Sequence, residues 1–220
     1  MLKTFKKKID HIEDQVEEVF TRLIKASTIT FAALDEKDPT RFKETKNSLK
    51  NVDEICDKID SDVTTTLALF SPEAKDLRQL VSYLKITSVL HKLAQNIKSY
   101  NKVAAKNFED FKHYFEENKA LITLQQASLH ALETTLEIVR EDDEKLLEGL
   151  YKKITEKVDE TDKAYETIEQ EILKDLSTDT FEAQIALLKT FRKLDKITNR
   201  AFDISTTLLC SKLNQLPLLS

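Results

Sequence analysis

Hydrophobic residues recur every three or four positions along most of the chain. In the first stretch this series runs without a miss, through Leu2, Phe5, Ile9, Ile12, Val16, Val19 and Leu23. Such spacing places apolar side chains along one face of an α-helix that packs against neighbouring helices. Similar stripes follow in later segments, so the pattern predicts an all-α protein of six helices.

Polar interruptions divide the first half of the chain into three helices. Asp38 and Pro39 favour a helix start, because Asp accepts hydrogen bonds from free backbone N–H groups and Pro needs no partner there. These residues predict a second helix over 39–70. Ser71 gives a similar start signal for a long third helix over 72–114.

The second half follows the same plan. Residues 116–118 are expected to separate the third and fourth helices, and Asp142 or Asp143 to cap the fifth. The segment 177–179 is expected to interrupt the chain before a sixth helix that ends near Leu213. The tail beyond it is expected to fray.

The composition agrees with a helical protein. One Gly and three Pro among 220 residues, with 33% charged residues, leave little material for turns. The net charge of −5 gives no reason to expect a nucleic acid as partner. No run of 18 apolar residues occurs, so a cytoplasmic protein is predicted. The lysines near the start are interpreted as a solvated helix end, with contact to an anionic membrane surface as the alternative.

Acidic residues flank the apolar stripes of the second and fifth helices in the same register. The first acidic ridge comprises Asp53, Asp57 and Asp60, and the second acidic ridge comprises Asp162, Glu166 and Glu169. Each member of the first ridge recurs 109 positions later. The third and sixth helices match at an offset of 104, which places a five-residue shortening in the turn between helices. The chain is therefore predicted to contain two tandem three-helix bundles, as domains 1–115 and 116–220.

Three carboxylates on one helical ridge repel one another unless solvent or a cation lies between them. Two interpretations stay open at this point. The ridges are solvated flanks of the apolar stripes, or they supply oxygen ligands for a hard cation together with a facing helix.

The third and sixth helices determine how good such a cation site would be. His91 with Gln95 offers an imidazole and an amide, whereas Asp195 with Asn199 offers a carboxylate and an amide oxygen. Any metal site is therefore predicted to be better in the second half, and His91 is expected to be a hydrogen-bonded side chain. The predicted metal ligands are Asp53, Asp57, Asp60, Asp162, Glu166, Glu169, Asp195 and Asn199.

Motifs of common enzyme classes are absent from the sequence. It has no GxxxxGK(S/T), GxSxG or HExxH motif, and no Glu stands three residues before any of the four His. Cys56 falls on an apolar stripe and is expected to be a buried thiol, and Cys210 lies in an apolar helix end. The chain is therefore predicted not to be an enzyme.

Short segments of the two long helices carry a family resemblance. Residues 195–199, Asp-Lys-Ile-Thr-Asn, resemble the signature on the third helix of each repeat in the PhoU family of phosphate-signalling proteins, with the final Asp changed to Asn. Residues 91–95, His-Lys-Leu-Ala-Gln, resemble a more divergent copy, and 52–97 is similar to the first repeat of the family. The family is built from two three-helix repeats, so the resemblance implies the same fold.

The resemblance also implies a function. Proteins of this family restrain phosphate uptake and the phosphate-starvation response through contacts with a phosphate ABC transporter and a sensor histidine kinase. It leaves open a homodimer, a position near the membrane, and the related phosphate-transport accessory branch. The family's metal sites use the acidic motifs, from which His91, Gln95 and Asn199 depart, so any cofactor is expected to be a divalent or iron cation held weakly or not at all. The alternatives are a metal-binding helical bundle and a helical scaffold unrelated to phosphate.

Overall fold

The computed structural model describes residues 2–174 and 181–213. Within these ranges it contains eight α-helices, no strand, and one short 3-10 turn at Pro39–Arg41. The helices are α1 (Leu2–Asp35), α2 (Phe42–Ser48), α3 (Val52–Leu69), α4 (Ala74–Lys106), α5 (Phe108–Glu117), α6 (Lys119–Arg140), α7 (Glu144–Lys174) and α8 (Phe181–Leu213). No helix in the described ranges is long and apolar enough to cross a membrane.

The helices pack as two groups of three. Helices α1, α3 and α4 contact one another, and so do α6, α7 and α8. The groups meet where α1 packs against α6 and α4 packs against α8. The predicted apolar stripes form the core, as at Val16, Val63 and Ile168, which are all fully buried. The prediction of an all-α protein with two three-helix bundles is confirmed.

Polar contacts also join the two long helices α4 and α8. The Arg200 guanidinium Nη1 donates to the Lys92 carbonyl oxygen at 2.6 Å. Two helical turns earlier on α8, Lys193 Nζ donates to Ser99 Oγ at 2.8 Å. The bundles are therefore connected through the same two helices that carry the family signature. The domain boundary between residues 115 and 116 stays a prediction, and it falls within α5.

Two breaks divide helices that the sequence pattern predicts as continuous. The predicted helix over 39–70 is interrupted before α3 by Asn51, whose φ of 61° lies in the left-handed region. Asn tolerates this region better than most residues other than Gly. The predicted third helix ends at Lys106, and Asn107 joins it to α5. In a chain with one Gly, Asn takes over part of the role of a helix breaker.

Aromatic packing holds α5 against α8. The ring of Phe111 lies 5.3 Å from that of Phe191, in an edge-to-face arrangement. Tyr114 also lies 5.3 Å from the Phe191 ring, and Tyr100 of α4 lies 6.1 Å from Phe111. Such ring pairs stabilise a core by more than their buried area alone. This cluster explains why the chain turns after Lys106, since a straight α4 would carry the α5 aromatics along the α4 axis.

Most of the predicted helix caps are present. Asp38 Oδ1 accepts from the Thr40 backbone N–H at 2.9 Å, and Asp143 Oδ1 accepts from Leu146 N–H at 3.0 Å. The predicted cap at Ser71 is wrong, because α4 begins after Glu73, whose side chain makes no capping hydrogen bond. The predicted interruption at 177–179 and the fraying tail at 214–220 lie outside the described residues.

Candidate functional site: two acidic ridges

The first acidic ridge faces α4 and is bridged by a histidine. His91 Nδ1 lies 3.4 Å from Asp53 Oδ1, and His91 Nε2 lies 3.3 Å from Asp57 Oδ1. Both ring nitrogens of His91 therefore point at carboxylates of the ridge. This agrees with the interpretation of His91 as a hydrogen-bonded side chain. Gln95, one turn further along α4, is exposed.

A lysine and a threonine of α4 complete the partners of the first acidic ridge. Lys98 Nζ donates to Asp53 Oδ2 at 2.6 Å, and Thr87 Oγ1 donates to Asp60 Oδ1 at 2.5 Å. The hydrogen bond from Lys98, followed by the contacts with His91, lowers the pKa of Asp53. Each carboxylate of the ridge therefore has a partner from α4, and Lys98 of the protein supplies a positive charge beside the ridge.

Cys56 lies behind the first acidic ridge, as the sequence pattern predicts. It is fully buried, and burial raises its thiol pKa to about 12, with further contributions from the charges of the ridge. A thiol with such a pKa stays protonated near neutral pH and is a poor nucleophile. Cys56 is therefore part of the core rather than a reactive group.

The second acidic ridge lines an open cleft on α7. Its three carboxylates, together with Tyr165 and Arg192, surround a space of 450 Å³. The Arg192 guanidinium lies over the Tyr165 ring, 4.7 Å from its centre. This stacking is a favourable cation–π contact and helps to keep the arginine over the ridge. The second ridge therefore also has a cation of its own, supplied by α8.

Asp195 is the buried member of this site. Its side chain is 3% exposed, and it lies in hydrogen-bond contact with the carboxyl group of Asp162. Arg192 Nε lies 3.3 Å from Asp195 Oδ2, and Asn199 Nδ2 donates to Asp195 Oδ1 at 3.0 Å. Burial is the main cause that raises the pKa of Asp195, with Asp162 adding to it and Arg192 opposing it. Asp195 is thus a buried carboxyl group held between Asp162, Arg192 and Asn199.

The structure brings only some of the predicted metal ligands together. Asp162, Asp195 and Asn199 meet at one point, whereas Glu166 and Glu169 lie along the cleft. Within the described ranges, no three His, Cys, Asp or Glu side chains are grouped closely enough to hold a metal ion. Lys98 and His91 already engage the first acidic ridge. The second ridge offers two contacting carboxyl groups beside an arginine, and the metal assignment stays a prediction.

Sequence reasoning missed three residues that complete these sites: Thr87, Lys98 and Arg192. A signal for two of them exists in the spacing. Lys98 follows His91 by seven positions, two helical turns on the same face, and Arg192 precedes Asp195 by three. Basic side chains at such positions reach the same facing ridge. Only the packing of α3 on α4 and of α7 on α8 shows that they do so.

Comparison with known families and structures gives two kinds of match. Residues 16–104 match the family model of the PhoU domain. The crystal structure of PhoU from Pseudomonas aeruginosa superposes with a TM-score of 0.74 at 14% identity, covering 96% of this chain and 100% of that chain. The structure of the phosphate transport system regulatory protein PhoU from Streptococcus pneumoniae gives a TM-score of 0.74 at 18% identity, covering 98% and 100%. No curated protein sequence matches the chain.

These matches agree with the signature segments of the two long helices. The solved structures establish the fold, and the family model adds a match at the level of sequence from α1 to α4. The chain therefore carries a match to the PhoU domain over residues 16–104 and has the fold of the PhoU crystal structures over nearly its whole length.

Proposed function

We propose that the chain is a non-enzymatic regulator of a phosphate transport system that acts by binding protein partners. The observation that carries this proposal is the pair of acidic ridges, one on each bundle, whose outer carboxylates reach solvent. The Asp57 side chain is 77% exposed, and Asp162 and Glu166 are also exposed. The groups that face inward are engaged by His91, Lys98 and Arg192. This leaves charged surfaces available for docking.

The partners we propose are a phosphate ABC transporter and a sensor histidine kinase, met at the cytoplasmic face of the membrane. Charged surface groups chiefly speed and orient association. Acidic ridges on two related bundles would allow the chain to engage basic surfaces of two partners, or two copies of one. The structural relative from Streptococcus pneumoniae, a phosphate transport system regulatory protein, supports this direction.

The experiment is partner capture from a native lysate with variants of the first acidic ridge. Asp53→Lys combined with Asp57→Lys should reduce recovery of transporter or kinase components, most strongly at low salt. The matched control is Asp10→Lys with Asp14→Lys, which makes the same charge change at the same spacing on the exposed face of α1. The control should capture as wild type does, and circular dichroism should show equal helix content in all three proteins.

Two results would count against the proposal. Equal recovery by the ridge variant and wild type would remove the first acidic ridge from the interface. Absence of any transporter or kinase component, together with measurable turnover of a phosphate ester by the wild type, would refute a non-enzymatic adaptor.

A further inference from the structure

A second cleft lies on the first bundle, between α2 and α4. Its volume is 560 Å³, within the range of small-molecule sites. Phe42 and Leu49 of α2 form its apolar floor, and both are buried against the core. Ala105 of α4 lies at its edge. The cleft is therefore large enough for a small organic molecule and partly apolar.

Four lysines surround this cleft in two pairs on facing helices. Lys43 and Lys46 of α2 are three positions apart, and Lys98 and Lys102 of α4 are four apart, so each pair lies on one helix face. Lys98 is engaged by Asp53. The other three make no ion pair with any described carboxylate. A protein with a net charge of −5 thus keeps an uncompensated positive patch around an apolar floor.

A buried amide in the lining lacks a partner. Asn101 is 5% exposed, and its Oδ1 accepts from Thr30 Oγ1 at 2.5 Å. Its Nδ2 is buried and makes no hydrogen bond to any described group. A buried N–H donor without an acceptor costs free energy, so such groups are seldom left unpaired. Asn101 is thus an unsatisfied donor in a residue that lines the cleft.

We propose that this cleft binds a small organic phosphate. The phosphate groups lie between the two lysine pairs, which bind phosphate through charge-assisted hydrogen bonds. The apolar part of the ligand packs on Phe42 and Leu49. The ligand is a phosphorylated nucleoside or a short-chain lysophospholipid, since both combine these features. The proposal goes beyond the partner binding proposed above and does not depend on it.

Lys98 connects this cleft with the first acidic ridge. The same ammonium group lines the cleft and donates to Asp53. A ligand phosphate would compete with Asp53 for Lys98 and weaken that ion pair. Binding in the cleft would therefore leave Asp53 and His91 freer to meet a partner; this consequence, unlike ligand binding itself, rests on the proposed partner function.

The test is isothermal titration of the full chain at low salt with four probes: ADP, 1-octanoyl lysophosphatidic acid, adenosine and inorganic phosphate. We expect ADP or the lysophosphatidic acid to bind at least about tenfold more tightly than adenosine or inorganic phosphate. Only ADP and the lysophosphatidic acid combine a phosphate for the lysine pairs with an apolar part for the floor of the cleft. Whichever of ADP and the lysophosphatidic acid binds more tightly shows whether the cleft prefers a nucleoside phosphate or a lipid phosphate. Failure of both to bind below about 1 mM would overturn the proposal.

Variants locate the binding. Lys43→Gln with Lys46→Gln should weaken binding by at least about tenfold, and Ala105→Phe should block the cleft while keeping the helix. Lys3→Gln with Lys6→Gln makes the same charge change at the same spacing on α1 and should leave binding unchanged. An equal loss in the α1 control would show only unspecific charge attraction and would overturn the proposal. Partner capture by the same variants in the absence of ligand tests the adaptor function separately.

Discussion

The two acidic ridges occupy equivalent places in the two bundles, but their surroundings differ. Opposite the first ridge stand His91 and Lys98, and opposite the second stand Asp195 and Arg192. Position 91 corresponds to position 195 in the repeat, so a base has taken the place that a buried acid holds in the second bundle. The first site is an exposed network of ion pairs. The second is a buried carboxyl pair beside an arginine.

The difference reverses the electrostatics of the two sites. Hydrogen bonding from Lys98 lowers the pKa of Asp53, so the folded state prefers its charged form. Burial raises the pKa of Asp195, so the folded state prefers its protonated form. Through linkage, Asp53 adds stability that is present above its unfolded pKa and lost as the pH falls through its folded pKa. The contribution of Asp195 to stability has the opposite pH dependence. It is present below the unfolded pKa of Asp195 and is lost as the pH rises through the folded pKa.

The largest expected effect is therefore at Asp195. Asp195→Asn removes a buried charge at neutral pH and keeps the shape and the hydrogen-bonding capacity of the side chain. We expect the variant to be more stable than wild type at about pH 7, by on the order of 1 to 2 kcal/mol, because Arg192 and Asn199 offset only part of the cost of burying the charge. Urea unfolding followed by circular dichroism measures it. The gain should shrink as the pH falls through the raised pKa of Asp195, because the folded wild type then carries the protonated side chain.

An exposed carboxylate on the same helix serves as control for this prediction. Asp203→Asn changes the charge of α8 equally, and it should alter the unfolding free energy by no more than about 0.5 kcal/mol. If Asp195→Asn were less stable than wild type at neutral pH, the ionised carboxylate with Arg192 and Asn199 would be a net stabilising cluster. The contrast between the two ridges would then be lost.

The sequence predicts the parts of these sites that depend on helical periodicity. The 109-residue offset places the second acidic ridge on α7 correctly, and the stripe through Val52 and Val63 identifies Cys56 as buried. Periodicity does not show which side chains of the facing helix reach the ridge, because this depends on how α3 packs on α4. The ion pair of Lys98 and the burial of Asp195 are tertiary properties of this kind. The breaks at Asn51 and Asn107 were missed because a stripe continues in phase across them.

A smaller effect of opposite sign is expected at Asp53. Asp53→Asn removes the acceptor of Lys98 and one contact of His91, so the variant should be less stable at about pH 7. The Asp53 side chain is 43% exposed, and solvent screens the pair, so the loss should be about 0.5 kcal/mol. The loss should disappear as the pH falls through the folded pKa of Asp53, because protonated wild type then resembles the variant. Chemical unfolding at both pH values measures it.

Asp57→Asn provides the comparison within the same ridge. Asp57 is 77% exposed and contacts only His91 in the described structure, so its removal should change stability less than removal of Asp53. A gain in stability from Asp53→Asn would mean that the three carboxylates repel one another more than Lys98 and His91 attract them. The carboxylates of the first ridge would then destabilise the folded state, as is expected of the Asp195 charge in the second.

The smallest expected effect concerns cations, and it compares the two ridges directly. The carboxyl groups of Asp162 and Asp195 are in contact, and Glu166 lies along the same cleft, so their oxygens are the candidate ligands for a divalent cation. Arg192 opposes such binding by its charge. We therefore propose that any binding of Mn²⁺ or Mg²⁺ occurs at the second ridge and is weak. At a cation concentration equal to Kd, the gain in unfolding free energy would be about 0.4 kcal/mol.

Variants on both bundles show where a cation binds. Asp195→Ala should abolish the shift in thermal unfolding caused by Mn²⁺, and His91→Ala should leave it unchanged, because His91 belongs to the first ridge, where Lys98 already pairs with Asp53. Arg192→Gln should enlarge the shift, since it removes the opposing charge and keeps a polar side chain over the cleft. Elemental analysis of protein purified without a histidine tag gives the metal content directly. Metal that survives Asp195→Ala but is lost in His91→Ala would place the site on the first ridge. The imidazole of His91 would then act as a metal ligand rather than as a bridge between carboxylates. A histidine at the position equivalent to Asp195 would then be compatible with metal binding.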